Sequence, residues 1–118
     1  MIDDGRPIFQ QIAEDLERQI LDGTLPEESQ APSTNELAAF HRINPATAAK
    51  GLNELVASGI LYKKRGIGMF VSTGAHDKVL AIRRDDFQRE YVEPLLAEAR
   101  RLGIEQSHLL VMIKGGRV

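Results

Sequence analysis

Residues 30–71 carry two helix-start signals and a glycine-rich turn in close succession, and this order constrains the fold more than any other feature. Ser33 followed by Glu36 is typical of a capping box, in which each side chain accepts a hydrogen bond from an orphan backbone amide. Asn44 followed by Pro45 marks a second helix start. Two glycines then allow a tight hairpin. The predicted order is helix, turn, helix and hairpin.

Apolar stripes precede this motif and continue into it. Residues 7–22 place an apolar side chain at every fourth position, which predicts an amphipathic helix with one buried face. In the first helix of the motif, Leu37 and Ala38 are expected to face the core, with Phe40 close behind. Because a residue before proline avoids helical geometry, Pro32 predicts a short extended piece ahead of the motif.

The segment 73–118 has a different character. A helical pattern runs from about residue 75 to 102, and Pro94 within it predicts a kink or break near 92–94. Residues 105–114 form a shorter apolar helix, and the tail after them is expected to fray. These helices cannot enclose a core alone, so either the N-terminal domain or the same helices of a second chain must cover them. We predict homodimerisation through Leu80, Phe87, Tyr91, Leu95, Leu109 and Leu110.

Charge is unevenly distributed along the chain. The net charge of −2 argues against a nucleic-acid partner, but residues 1–40 hold a local charge of −7 and residues 41–72 a local charge of +4. A phosphate-binding surface needs local positive potential, not a basic whole protein. Lys63, Lys64 and Arg65 lie together at the hairpin tip, where they favour phosphate or a narrow minor groove. Double-stranded DNA is the expected partner.

The expected docking mode follows from the second helix of the motif. Its start is small and polar, with Thr47 and Lys50 exposed, while its later turns are apolar. A helix that inserts its N-terminal residues into the major groove has this pattern. The sequence thus predicts a mainly α fold with a small β-hairpin, with a DNA-binding domain at 1–72 and a helical dimerisation region at 73–118. A protein-interaction module and a small-molecule-responsive sensor are the alternatives.

Other classes of function find little support. The chain has no cysteine, its three histidines are far apart, and it has no nucleophile triad order or phosphate-cradling loop. We therefore expect no enzyme activity, no metal and no cofactor. No apolar stretch reaches the roughly 20 residues of a membrane span, and the acidic N-terminus does not resemble a secretory signal. A cytoplasmic protein is therefore expected. The acidic pairs at 3–4, 27–28 and 85–86 are expected to be solvated.

Four blocks resemble the winged helix-turn-helix domain of GntR-type bacterial transcription regulators, from about Pro7 to Val71. The blocks are PIFQQIAEDLERQILDGTL, APSTNELA, INPATAAKGLNELVASGIL and RGIGMFV. The third block and the short C-terminal region resemble the YtrA-type branch, in which a small two-helix dimerisation region replaces a large effector-binding domain. The resemblance implies a dimeric DNA-binding regulator, usually a repressor.

The resemblance also implies roles for single residues. The start of the first motif helix should lie near phosphates, Thr47 and Lys50 should face the major groove, and the glycine-rich tip should form the wing. Asn35 stands where the family commonly has arginine, which implies a shorter contact there. The full predicted interface is Ser33, Thr34, Asn35, Arg42, Asn44, Pro45, Ala46, Thr47, Lys50, Lys64, Arg65, Gly66 and Gly68.

Overall fold

The computed structural model describes residues 5–116 and divides the chain into an N-terminal unit, Met1–Ala81, and a C-terminal unit, Ile82–Val118. The described residues are mainly helical with one two-stranded antiparallel sheet, as predicted. Their elements are α1 (Ile8–Leu21), α2 (Thr34–His41), α3 (Pro45–Ala57), β1 (Leu61–Lys64), β2 (Gly68–Val71), α4 (Ala75–Phe87), a π-helical segment (Gln88–Val92), α5 (Glu93–Arg101) and α6 (Gln106–Ile113).

The core of the N-terminal unit lies between α1 and α3. Gly51 allows the closest approach, since a Cβ atom there would lie 2.9 Å from the carbonyl oxygen of Phe9. Burial of apolar side chains at about 25 cal/mol per Å² is the main stabilising contribution of such a core. The largest fully buried side chains are Ile12, Leu16, Leu52, Ile60, Leu61, Val71 and Val79.

Both predicted helix starts are confirmed. Ser33 and Glu36 form the capping box: the amide of Glu36 donates to Ser33 Oγ at 3.1 Å, and the amide of Ser33 donates to Glu36 Oε1 at 2.9 Å. Asn44 Oδ1 accepts from the amide of Ala46 at 2.8 Å, and Pro45 occupies the first turn of α3. Two caps separated by a short turn fix where each helix of the motif begins.

The prediction that Phe40 follows its neighbours into the core is wrong. Leu37 and Ala38 are buried, but 81% of Phe40 is exposed. At 3.6 residues per turn, position 40 lies about 110° away from the direction midway between positions 37 and 38. The helix ends one residue later, so no further turn carries an aromatic side chain back to the core.

The hairpin carries a third, shorter piece of extended chain. Tyr62 pairs with Phe70 in the antiparallel register of β1 and β2. On the other edge of β2, the amide of Ala31 donates to the carbonyl of Met69 at 2.8 Å, and a bridge joins Gln30 to Phe70. The predicted extended piece before proline is therefore confirmed, and it pairs with the return strand of the hairpin.

The acidic pair at 27–28 is exposed, as expected, and it also accepts hydrogen bonds from remote donors. Glu28 accepts hydrogen bonds from Tyr62 Oη and Thr73 Oγ1, each at 2.5 Å. Glu27 accepts from the amides of Gly74 and His76 at the start of α4. A tight turn brings both carboxylates to donors that are remote in sequence. Asp86 pairs with Arg89, and the pair at 3–4 lies outside the described residues.

The C-terminal unit contains the irregularity predicted near Pro94. The helix does not break; it passes through the π-helical segment and resumes as α5 at Glu93. A proline lacks the amide proton and its ring crowds the carbonyl of the residue four earlier, so a wider turn ahead of it relieves both problems. Ala99 and Leu109 are buried in this unit. Of the predicted frayed tail, residues 117–118 lie outside the described range. Across residues 5–116, every helix is too short or too polar to cross a bilayer.

The hydrogen bonds of Glu28 predict a pH dependence of stability. Donation from the Thr73 and Tyr62 hydroxyls lowers the pKa of Glu28 below its ordinary value. The stabilisation is therefore present above the unfolded pKa, about 4.3, and is lost as pH falls through the lowered folded pKa. Urea unfolding from pH 7 to pH 3 should show a smaller loss of unfolding free energy for Glu28→Gln than for the wild type. Glu54→Gln, an exposed residue of α3, is the control. Equal pH profiles for the wild type and Glu28→Gln would contradict the prediction.

Candidate nucleic-acid interface

A groove of about 610 Å³ lies between the start of α2 and the hairpin tip. The structure therefore brings together two groups that the sequence analysis selected separately, the α2 start and the glycine-rich tip. Its lining combines apolar residues, among them Leu52 and Met69, with polar and charged ones. Its walls include Ser33, Thr34, Asn35, Lys63, Lys64, Arg65, Gly66 and Gly68.

Two features of the groove favour an anionic ligand. The cationic residues Lys63, Lys64 and Arg65 line it, and among residues 5–116 no acidic residue does. The backbone amides at the start of α2 add the positive end of a helix dipole, which attracts anions. Asn35 is exposed there and carries two amide donors. The arrangement is suited to hold the phosphates of one nucleic-acid strand.

The two strand lysines at the tip point in opposite directions. Lys64 shares a face with Tyr62 and Phe70, and its Nζ lies 4.2 Å from the centroid of the Phe70 ring. Lys63 alternates to the other face, opposite Met69 and on the side of buried Leu61. Lys63, which the sequence analysis placed with the cations of the tip but not in the residue set of the interface, lines the groove. Alternation along the strand separates its direction from that of Lys64.

The tip is held in place by a residue that the sequence analysis did not select. Gln30 Nε2 donates to the carbonyl of Ile67 at 3.1 Å. Gly68 lies against it at φ 143°, and a Cβ there would come within 2.7 Å of Gln30 Nε2. Glycine at 68 is thus required both for its backbone geometry and for this close contact. Gln30 lies in the extended piece, and no local pattern indicates its remote partner.

The exposed face of α3 begins at the predicted positions. Ala46 and Lys50 are exposed, and Thr47 is half-buried. Asn53 is exposed one turn further along the same face, and helical spacing from Lys50 would have found it. Lys50 is not fully extended from the surface, because its Nζ lies 4.1 Å from the centroid of the Phe9 ring on α1.

Arg42 lies outside the groove, in the turn between α2 and α3. It lines a separate depression of about 910 Å³ with residues of α1 and with exposed Phe40. Its backbone is left-handed, with φ 55° and ψ 50°. The turn closes with a hydrogen bond from the amide of Ile43 to the carbonyl of Ala38 at 3.0 Å. Glycine usually occupies such a position, because a left-handed residue with a Cβ is strained.

The predicted dimerisation residues fall into two groups. Phe87, Tyr91, Leu95 and Leu110 of the C-terminal unit are exposed, with relative exposures of 57%, 59%, 43% and 49%. Leu109 is only 6% exposed, so its side chain is not part of the exposed apolar face. Leu80 is half-buried and belongs to the N-terminal unit.

Comparison with known proteins identifies the family. Residues 8–71 match the model of the gntR family of bacterial regulatory proteins, which is more than half of the chain. This chain belongs to the GntR family. Its members are transcription regulators with a winged-helix DNA-binding domain, so the chain is a DNA-binding regulator and not an enzyme.

Relatives extend the similarity beyond the family domain. The transcriptional repressor YtrA of Bacillus subtilis is 31% identical over 92% of this chain and 82% of its own length. A GntR family regulator from Listeria monocytogenes has a similar structure, with a TM-score of 0.77, 26% identity and coverage of 97% of this chain and 98% of its own. The DNA-binding domain of AraR, solved in complex with operator ORX1, is 28% identical over 61% of this chain and 87% of its own, with a TM-score of 0.56.

Backbone strain at Arg42 leads to a prediction about stability. Arg42→Gly should raise the free energy of unfolding by up to about 1.6 kcal/mol. The left-handed conformation costs a non-glycine residue about 1–2 kcal/mol, while the extra freedom of glycine in the unfolded chain offsets about 0.4–1 kcal/mol of this. Arg42→Ala removes the same charge but keeps the Cβ, so it is the matched control. Urea denaturation followed by circular dichroism measures both, and equal stability of the two variants would contradict strain as the cause.

Proposed function

We propose that this GntR-family regulator is a sequence-specific DNA-binding repressor that binds a pseudo-palindromic operator as a homodimer. The observation that carries the proposal is the cationic groove that joins the start of α2 to the hairpin tip. The relation to AraR, whose DNA-binding domain was solved with an operator, and to the repressor YtrA supports it. A DNA target also favours the cytoplasm as the location of the protein.

In the proposed docking mode, residues 44–58 enter the major groove and residues 63–69 lie near the minor groove. Small side chains at the start of α3 allow its backbone to approach base edges closely. The donors of the α2 start and the hairpin tip then meet phosphates on either side. Most of the affinity comes from cations that displace condensed counterions, and this contribution is independent of sequence.

Sequence discrimination in this mode depends on few side chains. Lys50 donates to O6 or N7 of guanine, and Thr47 offers a hydroxyl and a methyl group. Each good contact provides about 1–3 kcal/mol of discrimination. One copy therefore reads a short half-site, and two copies are needed for useful selectivity. Asn53 is a further candidate, because it lies one turn beyond Lys50 on the same exposed face.

The C-terminal unit provides the surface for the second copy. Its exposed face carries large apolar side chains, among them Phe87 and Tyr91, whose ring centroids are 5.6 Å apart. Contiguous exposed apolar surface on a small protein is typical of an interaction site. A two-fold pair of chains matches the two-fold symmetry of a palindromic site, which favours a second copy as the partner.

The salt dependence of binding tests the contact with phosphates. Genomic fragments that the wild-type protein selects provide the matched DNA, and scrambled fragments provide the reference. Binding should weaken steeply with salt. Arg65→Ala and Lys63→Ala should each reduce the magnitude of the logarithmic salt slope by about 0.9, the value for one phosphate contact. Lys50→Ala should instead reduce discrimination between matched and scrambled DNA by about 1–3 kcal/mol.

Arg18→Ala is the control for this experiment. Arg18 is an exposed cation of α1 that pairs with Asp15, outside the proposed interface, so its removal should leave the salt slope unchanged. A shallow logarithmic salt slope for the wild type would contradict contact with phosphates and would favour a protein-interaction module. If Lys50→Ala lost affinity equally for matched and scrambled DNA, Lys50 would not be a base-contacting residue.

The exposed apolar face predicts the oligomeric state. Light scattering after size exclusion should give the wild type about twice the chain mass of 13.1 kDa. The double variant Phe87→Ser/Tyr91→Ser should shift toward the monomer, because both rings are more than half exposed in the single chain and are free to pack against a partner. Glu90→Ser, an exposed residue between them, is the control. A monomeric wild type at tens of micromolar would rule out this interface.

A further inference from the structure

The ring of Phe9 lies under the ammonium group of Lys50. The two are on different helices, and the distance from Nζ to the ring centroid is 4.1 Å. Phe9 is half-buried in the first turn of α1, whereas Lys50 is exposed on α3. The proposed function gives Phe9 no role.

The position of the ring follows from the backbone packing of the two helices. Gly51 follows Lys50 directly, and a Cβ at Gly51 would lie 2.9 Å from the carbonyl oxygen of Phe9. The two backbones are therefore in close contact at Phe9 and at Gly51, the neighbour of Lys50. Because both helices are anchored in the same core by buried Ile12 and Leu52, the ring is fixed relative to the root of the Lys50 side chain.

The ring constrains Lys50 without occupying its donors. Among residues 5–116, Lys50 takes part in no salt bridge and no side-chain hydrogen bond, and its ammonium group contacts the ring of Phe9. An aromatic face attracts an ammonium group through its quadrupole but accepts no full hydrogen bond. The three N–H donors thus remain available to a base, while the flexible stem loses part of its rotamer freedom before DNA arrives.

We propose that Phe9 is a positioning residue that preorganises Lys50 for sequence discrimination. This inference rests on the proposed function, in which Lys50 contacts base edges. Preorganisation lowers the entropy cost of that contact, so it strengthens binding to matched DNA more than binding to scrambled DNA. Phe9 acts through Lys50 and touches no base. Its effect should disappear when Lys50 is absent.

A double-mutant cycle with Lys50→Ala tests this coupling. Phe9→Leu keeps an apolar side chain but removes the ring, and Phe9→Tyr keeps the ring. Affinities for selected and scrambled fragments are measured for each variant. Phe9→Leu should reduce the ratio of the two affinities by about two- to fivefold, the fold-change that corresponds to an exposed cation–π contact. Phe9→Tyr should preserve the ratio, and Phe9→Leu should have no effect on it in the Lys50→Ala background.

A spectroscopic measurement checks the contact itself without DNA. Ring currents should shift the Lys50 side-chain protons next to the ammonium upfield in the wild type and in Phe9→Tyr, and Phe9→Leu should abolish the shift. An unchanged discrimination ratio for Phe9→Leu, or an equal reduction in the Lys50→Ala background, would overturn the inference and leave the proposed function intact. A wild type whose DNA binding is insensitive to salt would overturn both.

Discussion

The close contact of α1 with α3 at Gly51 is the constraint on which the rest of the N-terminal unit depends. A side chain at this position would meet the backbone of Phe9, so glycine allows the two helices to approach to within backbone contact. With α1 held in that place, one face of α3 is buried and the other is left free. The free face carries Lys50 and Asn53, and it is the surface that we propose for the major groove.

A second set of long-range contacts fixes the hairpin. The piece of chain before α2 pairs with β2, and Gln30 holds the tip through the carbonyl of Ile67. Glu28 joins the hairpin to Thr73, two residues before α4, through the hydroxyls of Tyr62 and Thr73. The groove is lined by the start of α2 and by the hairpin tip. The extended piece that contains Gln30 leads into α2 and also contacts the tip. A glycine-rich tip that would otherwise be flexible is supported on one side.

Local signals in the sequence were sufficient for most of the fold. The capping box at Ser33 and the Asn44–Pro45 start act through atoms only two or three residues apart, so the chain around them carries all the information. Local residues also indicate the turn of the β1–β2 hairpin and the π-helical segment ahead of Pro94. Phe40 shows the limit of such signals: hydrophobicity predicted burial, but the helix phase and the early end of α2 leave it exposed.

The sequence by itself determined the order of the elements, the ends of the helices and the excess of positive charge at the hairpin, because these depend on neighbouring residues. Only the tertiary structure decided which side chains meet across the fold. It placed the ring of Phe9 beside Lys50, and it brought Gln30 to the carbonyl of Ile67 at the hairpin tip. Such contacts join residues that are distant along the chain or depend on how helices pack, and no local pattern specifies them.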